Sequence, residues 1–244
     1  MKAASTASRK RARPFLREGD RRPFPNAQGA VCVKEEGGRF PSDKENGWKR
    51  PAMPPGSSRF PSDKEKGMKC LLCDINPAMR DAWEKELERR PRLAALCSVA
   101  AGSITGLQVD AVVSPANSFG FMRGGVDGVY TRVFGEGVES RLRAIIRTLP
   151  AKELPVGEAL IVPTGYAGIP WLISAPTMRR PSVLHDGDPV MRSARAAMRA
   201  GLEQSFASVA FPGMGTGTGR LPFDVAAEAM FDGMEEALFS SRWG

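Results

Sequence analysis

The chain has 244 residues and a net charge of +8 at neutral pH. This length suits a single domain, with or without an extension. No stretch approaches the roughly 18 continuous apolar residues of a membrane-spanning helix, so no membrane contact is predicted. No apolar signal segment accompanies the 4 cysteines. Their number and context argue against a disulfide framework and predict an intracellular protein of the cytoplasm or nucleus.

The positive charge is confined to the N-terminal third of the chain. Residues 1–69 contain 17 Lys or Arg and 8 Asp or Glu, a net charge of +9, whereas residues 70–244 contain 18 and 19, a net charge of −1. Residues 1–67 also have few aliphatic side chains and no periodicity of 2 or 3.6, so they cannot bury enough apolar surface to offset the entropy lost on ordering. The sequence therefore predicts a disordered basic tail over residues 1–67 and one compact domain over residues 68–244.

Two features of this tail admit a functional interpretation. Residues 1–17 are rich in Arg and free of acidic residues, which fits an organelle transit peptide, a nuclear-import patch at residues 9–13, a nucleic-acid-binding arm or a solvated basic segment without a receptor. The heptapeptide RFPSDKE occurs twice, at residues 39–45 and 59–65. It is too poor in apolar residues for a solenoid, so it is either a duplicated linker or a repeated interaction motif.

From Met68 onward, short apolar runs alternate with segments of helical periodicity. Asn76 and Pro77 supply an N-cap and a first helical residue, and Pro91 forbids continuation of that helix. Strands are predicted at residues 70–75, 93–100, 111–114, 159–162, 171–175 and 208–211. Further helices are predicted from Val126 with an interruption at residues 135–137, from Asp188 and from Pro222. This alternation predicts a three-layer α/β/α sandwich with a mainly parallel, mixed sheet.

A long loop follows the predicted strand at residues 111–114. Pro115 stops the strand, and the chain passes through Asn117 before a helix starts near Val126. Loops at the carboxyl ends of strands in α/β sheets bind ligands, so Asn117 and Asp127 are candidate site residues. Two simpler roles stay open: Asn117 can stabilise its own turn, and Asp127 can stabilise a helix N-terminus by about 0.3–1 kcal/mol.

A second loop mirrors the first after the predicted strand at residues 208–211. It carries glycine at positions 213, 215, 217 and 219, and it leads to the helix at Pro222. Glycines let backbone N–H groups turn inward and approach an anion closely, which predicts a phosphate-binding loop. The loop lacks the Gly-Lys-Ser/Thr ending of a Walker A motif. A turn that packs tightly against a neighbouring strand is the alternative.

Metal and cofactor chemistry is not predicted. His185 is the only histidine, so a histidine-based metal cage is excluded, and its place in the loop SVLHDGD argues against a Ser-His-Asp triad. Cys70 and Cys73 stand in an apolar run without a second cysteine pair. They are predicted to be buried thiols of a strand.

Four short motifs, in their order and spacing, resemble the macrodomain family over residues 101–237. They are the segments GSITGLQVDAVVSPAN at residues 102–117, GGVDG at 124–128, PVGEA at 155–159 and FPGMGTG at 211–217. Macrodomains bind ADP-ribose, and some branches hydrolyse ADP-ribosyl bonds. The resemblance implies a macrodomain-like fold and ADP-ribose or an ADP-ribosylated protein as the ligand.

The same resemblance implies roles for individual residues. Asn117 corresponds to the family's asparagine that binds the distal ribose, and Asp127 to the aspartate that positions or polarises the attacking water in hydrolytic members. These two are the predicted catalytic residues. Ligand contacts are expected at Ser103, Ile104, Gly124, Gly125, Val126, Gly215, Thr216, Gly217, Thr218 and Gly219.

Several positions differ from the family pattern. Ser103 stands where many members have an aspartate that recognises adenine, Met122 and Arg123 replace two of the usual glycines, and Gly219 occupies a position that is usually aromatic. Substitute ligand contacts are expected from Phe119, Phe121 or Arg123.

Three candidate functions therefore follow from the sequence. The first is a binding module for ADP-ribose or ADP-ribosylated macromolecules. The alternative is a mono-ADP-ribosyl hydrolase that uses Asn117 and Asp127. A separate alternative is nucleic-acid binding through the basic tail, which would show a steep salt dependence.

Overall fold

A mixed sheet lies at the centre of the computed structural model, which describes residues 31–33 and 67–239. Within these residues the sheet has seven strands in the order β1-β5-β6-β4-β7-β2-β3. The strands are β1 (Val31–Val33), β2 (Lys69–Asp74), β3 (Cys97–Ala101), β4 (Ala111–Ser114), β5 (Ala159–Tyr166), β6 (Ile169–Ser174) and β7 (Ser208–Phe211). The helices are α1 (Pro77–Arg89), α2 (Pro91–Ala94), α3 (Gly125–Phe134), α4 (Gly137–Ile146), α5 (Asp188–Glu203) and α6 (Phe223–Phe239), with a 3₁₀ turn at Ile104–Gly106.

The sheet is mainly parallel, as predicted. Strands β6, β4, β7, β2 and β3 run parallel to one another, whereas β5 is antiparallel to both β1 and β6. Adjacent residues of β4 face opposite sides of the sheet: Val113 packs with α1, α5 and α6, and Val112 packs with α3 and α4. Helices therefore cover both faces, which confirms the predicted three-layer α/β/α sandwich.

The helix boundaries follow the local signals in the sequence. Asn76 caps α1, because its Oδ1 accepts a 3.0 Å hydrogen bond from the backbone N–H of Ala78, and Pro77 is the first helical residue. Gly135 has a φ of 81° and separates α3 from α4. That left-handed conformation suits glycine, so the predicted interruption at residues 135–137 is confirmed.

One predicted strand is wrong at its start. The strand expected over residues 93–100 begins only at Cys97, because Pro91 opens the short helix α2 and places Leu93 inside it. Leu93 is fully buried in that helix, so an apolar residue that suits a strand is equally suited to a helix turn packed on the core. Short apolar runs do not distinguish the two.

Strand β1 lies within the segment for which the sequence predicts a tail. Val31–Val33 pair antiparallel with β5, in register with Ala159, Leu160 and Ile161. Without β1, β5 would be the edge of the sheet, with unpaired backbone N–H and C=O groups that a short extended segment can satisfy. The predicted transit peptide, the basic patch and both RFPSDKE copies lie outside the described residues, so the prediction of a tail stays a prediction there.

No helix within residues 67–239 combines the length and the apolar character that are needed to cross a membrane.

Candidate functional site

A cleft of about 650 Å³ opens where parallel strands end. Strands β2, β4 and β7 run in one direction, so the loops that follow Asp74, Ser114 and Phe211 meet at the same edge of the sheet. The volume lies within the range of roughly 300–1,000 Å³ that small-molecule sites occupy. The cleft is lined by all twelve residues that the sequence assigned to the site: Ser103, Ile104, Asn117, Gly124, Gly125, Val126, Asp127, Gly215, Thr216, Gly217, Thr218 and Gly219.

Asn117 holds the shape of the loop that follows β4. Its Nδ2 donates a 2.9 Å hydrogen bond to the carbonyl oxygen of Phe121, and its Oδ1 accepts a 3.1 Å bond from the N–H of Phe119. Asn117 therefore does stabilise its own turn, which was one of its two possible roles in the sequence. Since an amide nitrogen carries two hydrogens, one N–H of Asn117 can still reach a ligand.

Asp127 lies in the first turn of α3 and is buried. Its Oδ1 accepts a 2.6 Å hydrogen bond from Oγ of Ser114, the last residue of β4. Burial raises the pKa of the Asp127 carboxyl to about 7, the bond from Ser114 lowers it, and the nearby Glu139 carboxylate raises it. Within the described residues the carboxylate has no second hydrogen-bond partner. Asp127 can therefore exchange a proton near neutral pH.

The N-terminus of α3 opens into the same cleft without a capping side chain. The N-cap is Gly124, and no side chain accepts a hydrogen bond from the first turn. The first N–H groups of a helix have no partner inside the helix, and they carry partial positive charge. They are suited to an anionic ligand. Arg123 is the only Lys or Arg among the described residues that line the cleft.

The glycine-rich loop after β7 is fixed at both ends and open in its middle. Leu221 N–H donates to the carbonyl oxygen of Gly215 at 3.1 Å, and Leu184 N–H donates to that of Gly219 at 2.9 Å. A Cβ at Gly219 would collide with the carbonyl oxygen of Gly215, so this position, aromatic in many family members, admits only glycine here. Around Gly217 a Cβ would meet no atom within 4 Å.

Sequence reasoning missed Asp74, which joins two of the loops that line the cleft. Its Oδ1 accepts a 2.8 Å hydrogen bond from the N–H of Asn76, and its Oδ2 accepts a 3.1 Å bond from the N–H of Gly213. The signal was present, because Asp74 is a polar residue at the carboxyl end of a predicted parallel strand. Ile75, beside it at the mouth of the cleft, is 77% exposed.

The positions that depart from the family pattern differ in their surroundings. Ser103 is exposed, and its hydroxyl lies 2.8 Å from that of Thr105. Met122 is fully buried, so it packs the core and contributes nothing to the cleft. Phe121 and Arg123, two of the residues expected to supply substitute contacts, both line the cleft and are exposed. Phe119 does not line it.

Comparisons with known sequences identify a family. The sequence model of the Macro domain matches residues 113–230. An uncharacterized protein of Aquifex aeolicus is 40% identical over 134 residues, which cover 55% of this chain and 78% of that protein. The macro domain-containing protein in gbd 3'region of Cupriavidus necator is 32% identical over 138 residues, or 56% of this chain and 79% of that protein.

Solved structures that are similar include the Oceanobacillus iheyensis macrodomain with ADP. The two chains share 21% identity and a TM-score of 0.49, over 55% of this chain and 71% of that one.

Proposed function

This chain belongs to the macrodomain family, and from that premise we propose that it binds ADP-ribose, free or attached to a macromolecule, in the cleft at the ends of β2, β4 and β7. One observation carries the proposal: the uncapped N-terminus of α3 and the glycine-rich loop at residues 215–219 line the same cleft. Both present backbone N–H groups that suit a diphosphate.

The charge of the folded part supports this mode of binding. A diphosphate carries about two negative charges, which helix N-termini and backbone N–H groups can stabilise with few cationic side chains. Residues 70–244 have a net charge of −1, and Arg123 alone brings a positive side chain to the lining of the cleft within the described residues. A site that bound the diphosphate through lysines would have several of them in its lining.

Calorimetric titration of the chain with ADP-ribose tests the proposal, with ADP and AMP as controls. We expect micromolar binding that weakens when the distal ribose is absent, because the family resemblance assigns Asn117 and Asp127 to that ribose and its bond. A folded sample that gives no heat with ADP-ribose would refute it.

Hydrolysis of an ADP-ribosyl bond is the second candidate, and the environment of Asp127 favours it. In this reaction water attacks the anomeric carbon of the distal ribose, the bond to the attached group breaks, and that group leaves with a proton. An ionised Asp127 would orient the water, accept its proton, pass that proton on to the leaving group and stabilise positive charge at the anomeric carbon. A pKa of about 7 matches that task at neutral pH. Release of ADP-ribose from a mono-ADP-ribosylated protein is the assay.

Nucleic-acid binding through residues 1–67 stays a proposal that rests on their charge alone. Its test is a salt-dependent affinity that disappears on deletion of this segment.

A further inference from the structure

We propose that the cleft accepts nucleotides whose purine carries a 6-oxo group, as guanine and hypoxanthine do, at least as well as it accepts adenine. This inference rests on the proposed binding of ADP-ribose and concerns only the base of the ligand. The base end of the cleft is formed by Ile75 and Asn76 in the loop after β2 and by Gly102 and Ser103 in the loop after β3.

The strand order places the base at this end. Strands β4, β7, β2 and β3 are consecutive and parallel in the sheet, so the loops that follow them lie in the same order along one edge. Asn117 and Asp127, at the proposed site of the distal ribose, follow β4, and the glycine-rich loop of the diphosphate follows β7. The base therefore reaches the loops after β2 and β3. Three strand spacings separate β3 from β4, a distance of about 14 Å.

Ile75 offers the base an apolar surface. Its side chain lines the cleft and is 77% exposed. A flat base that covers this side chain removes apolar surface from water, which favours binding. The contact is the same for every purine, so discrimination between purines depends on the polar groups beside it.

Those polar groups include hydrogen-bond donors in a fixed orientation. Oδ1 of Asn76 accepts the bond from the N–H of Ala78 that caps α1, and this bond orients the amide. The amide nitrogen of Asn76 carries two hydrogens, and neither has an acceptor within the described residues. Ser103 has an exposed hydroxyl 2.8 Å from that of Thr105, and either oxygen can be the donor. Ser103 can therefore donate to a base or accept from it.

Acceptors for an amino group are scarce at the same end. Among the described residues, Asp74 is the only carboxylate that lines it. Each oxygen of Asp74 already accepts a backbone N–H, from Asn76 at 2.8 Å and from Gly213 at 3.1 Å. The carboxylate of Asp74 thus connects two loops.

Adenine and the 6-oxopurines differ in the groups that meet these donors. Adenine presents a 6-amino donor beside the N7 acceptor, whereas guanine and hypoxanthine present the O6 and N7 acceptors side by side. The amide N–H groups of Asn76 suit two adjacent acceptors, and the hydroxyl of Ser103 suits either base. An adenine amino group would face the N–H groups of Asn76 without a carboxylate oxygen to receive it. The polar groups therefore give adenine no advantage over a 6-oxopurine.

Calorimetric titration of the full chain compares three ligands that differ only in the base. They are ADP-ribose, inosine diphosphate ribose and guanosine diphosphate ribose. We expect an affinity for the hypoxanthine or the guanine ligand that equals or exceeds the affinity for ADP-ribose, and the two ligands distinguish the bases. A preference for ADP-ribose of more than about threefold over both would overturn the inference.

Asn76→Asp tests the donors. Asp and Asn are equivalent N-caps, so the Tm should be unchanged, while a charged acceptor replaces the two N–H groups. The ratio of 6-oxopurine to adenine affinity should fall at least tenfold. Ala78→Asp is the matched control, because it adds the same charge to the same helix turn at an exposed position outside the cleft. Its ratio should equal that of the wild type. An unchanged ratio in Asn76→Asp would overturn the role of the amide.

Ile75→Ser tests the position of the base. Because the apolar contact is shared, this variant should weaken all three ligands severalfold and leave their ratios unchanged. Full affinity of Ile75→Ser for every ligand would overturn the placement of the base.

The same titrations separate this inference from the proposed function. Tight binding of ADP-ribose with weak binding of both 6-oxopurine ligands would overturn the inference alone. Failure of all three ligands to bind a folded sample would overturn both.

Discussion

Ser114 and Asp127 are joined by a 2.6 Å hydrogen bond from the serine hydroxyl to the carboxylate. The bond connects the last residue of β4 to the first turn of α3 across a thirteen-residue separation. It fixes the orientation of a buried carboxylate whose pKa is raised to about 7. Asp127 therefore reaches the cleft in one geometry and in both protonation states near neutral pH.

Removing the Asp127 carboxylate should separate binding from hydrolysis. Asp127→Ala should keep ADP-ribose affinity within a few fold and lose turnover of a mono-ADP-ribosylated protein, since no group would remain to orient water. Calorimetry and an ADP-ribose release assay measure the two. Unchanged turnover in this variant would end the catalytic assignment. Asp81→Ala, an exposed aspartate of α1, is the control.

The stability of the fold should depend on pH through Asp127. Because the pKa of Asp127 is raised in the folded protein, its protonated form stabilises the fold. This stabilisation is complete below the ordinary carboxyl pKa of about 4 and is lost as the pH rises to about 7. About three pKa units correspond to on the order of 4 kcal/mol of unfolding free energy. Urea denaturation at pH 4 and pH 8 should show this loss in the wild type and a smaller loss in Asp127→Asn. Equal losses in both would contradict the raised pKa.

Ser114 should act on the Asp127 carboxyl through its hydrogen bond. Ser114→Ala removes a donor to the charged form, so the pKa of Asp127 should rise further and the acidic limb of a pH–rate profile should move to higher pH. NMR titration of the Asp127 carboxyl gives the same information without turnover. The unfolding free energy should fall by about 1 kcal/mol.

Ser174→Ala is the matched control for that shift. Ser174 is in register with Ser114 on β6 and is equally buried, but its hydroxyl has no hydrogen-bond partner within the described residues. Its removal should leave the titration of Asp127 unchanged. A similar shift in both variants would indicate a general packing effect.

A side chain added in the middle of the glycine-rich loop should leave the free protein folded but weaken the binding of ADP-ribose. Gly217→Val meets no atom within 4 Å of the new Cβ, so folding should be unaffected, while the side chain would occupy space that the diphosphate needs. Thermal unfolding and calorimetry should show an unchanged Tm and an affinity reduced at least tenfold. Gly106→Val, equally open but outside the cleft, should bind normally. Normal affinity of Gly217→Val would refute the placement of the diphosphate.

Asp74 should stabilise both the fold and the site. Asp74→Ala leaves the N–H groups of Asn76 and Gly213 without their acceptor, which should lower the unfolding free energy by about 1–3 kcal/mol. Affinity for ADP-ribose should fall as well, because Gly213 begins the glycine-rich loop. Urea denaturation and calorimetry measure the two effects. Full stability of the variant would show that solvent replaces the carboxylate.

The sequence alone determined the local elements and predicted residues that prove to share one cleft. Asn76 and Pro77 set the start of α1, Pro115 ends β4, and the strands at residues 111–114 and 208–211 are confirmed at both ends. These signals are local, since caps, prolines and apolar runs act within a few residues. The twelve predicted residues share one cleft because parallel strands bring their carboxyl ends to one edge of the sheet.

The tertiary structure decided the interactions between residues that are distant in sequence. The bond from Ser114 to Asp127, the link from Asp74 to Gly213 and the close approach that makes Gly219 obligatory each depend on how two loops pack. The sequence also failed to predict the helix at Leu93, because only packing distinguishes a helix turn from a strand there. A pKa near 7 at Asp127 arises from burial, and burial is a property of the packed chain that no single segment encodes.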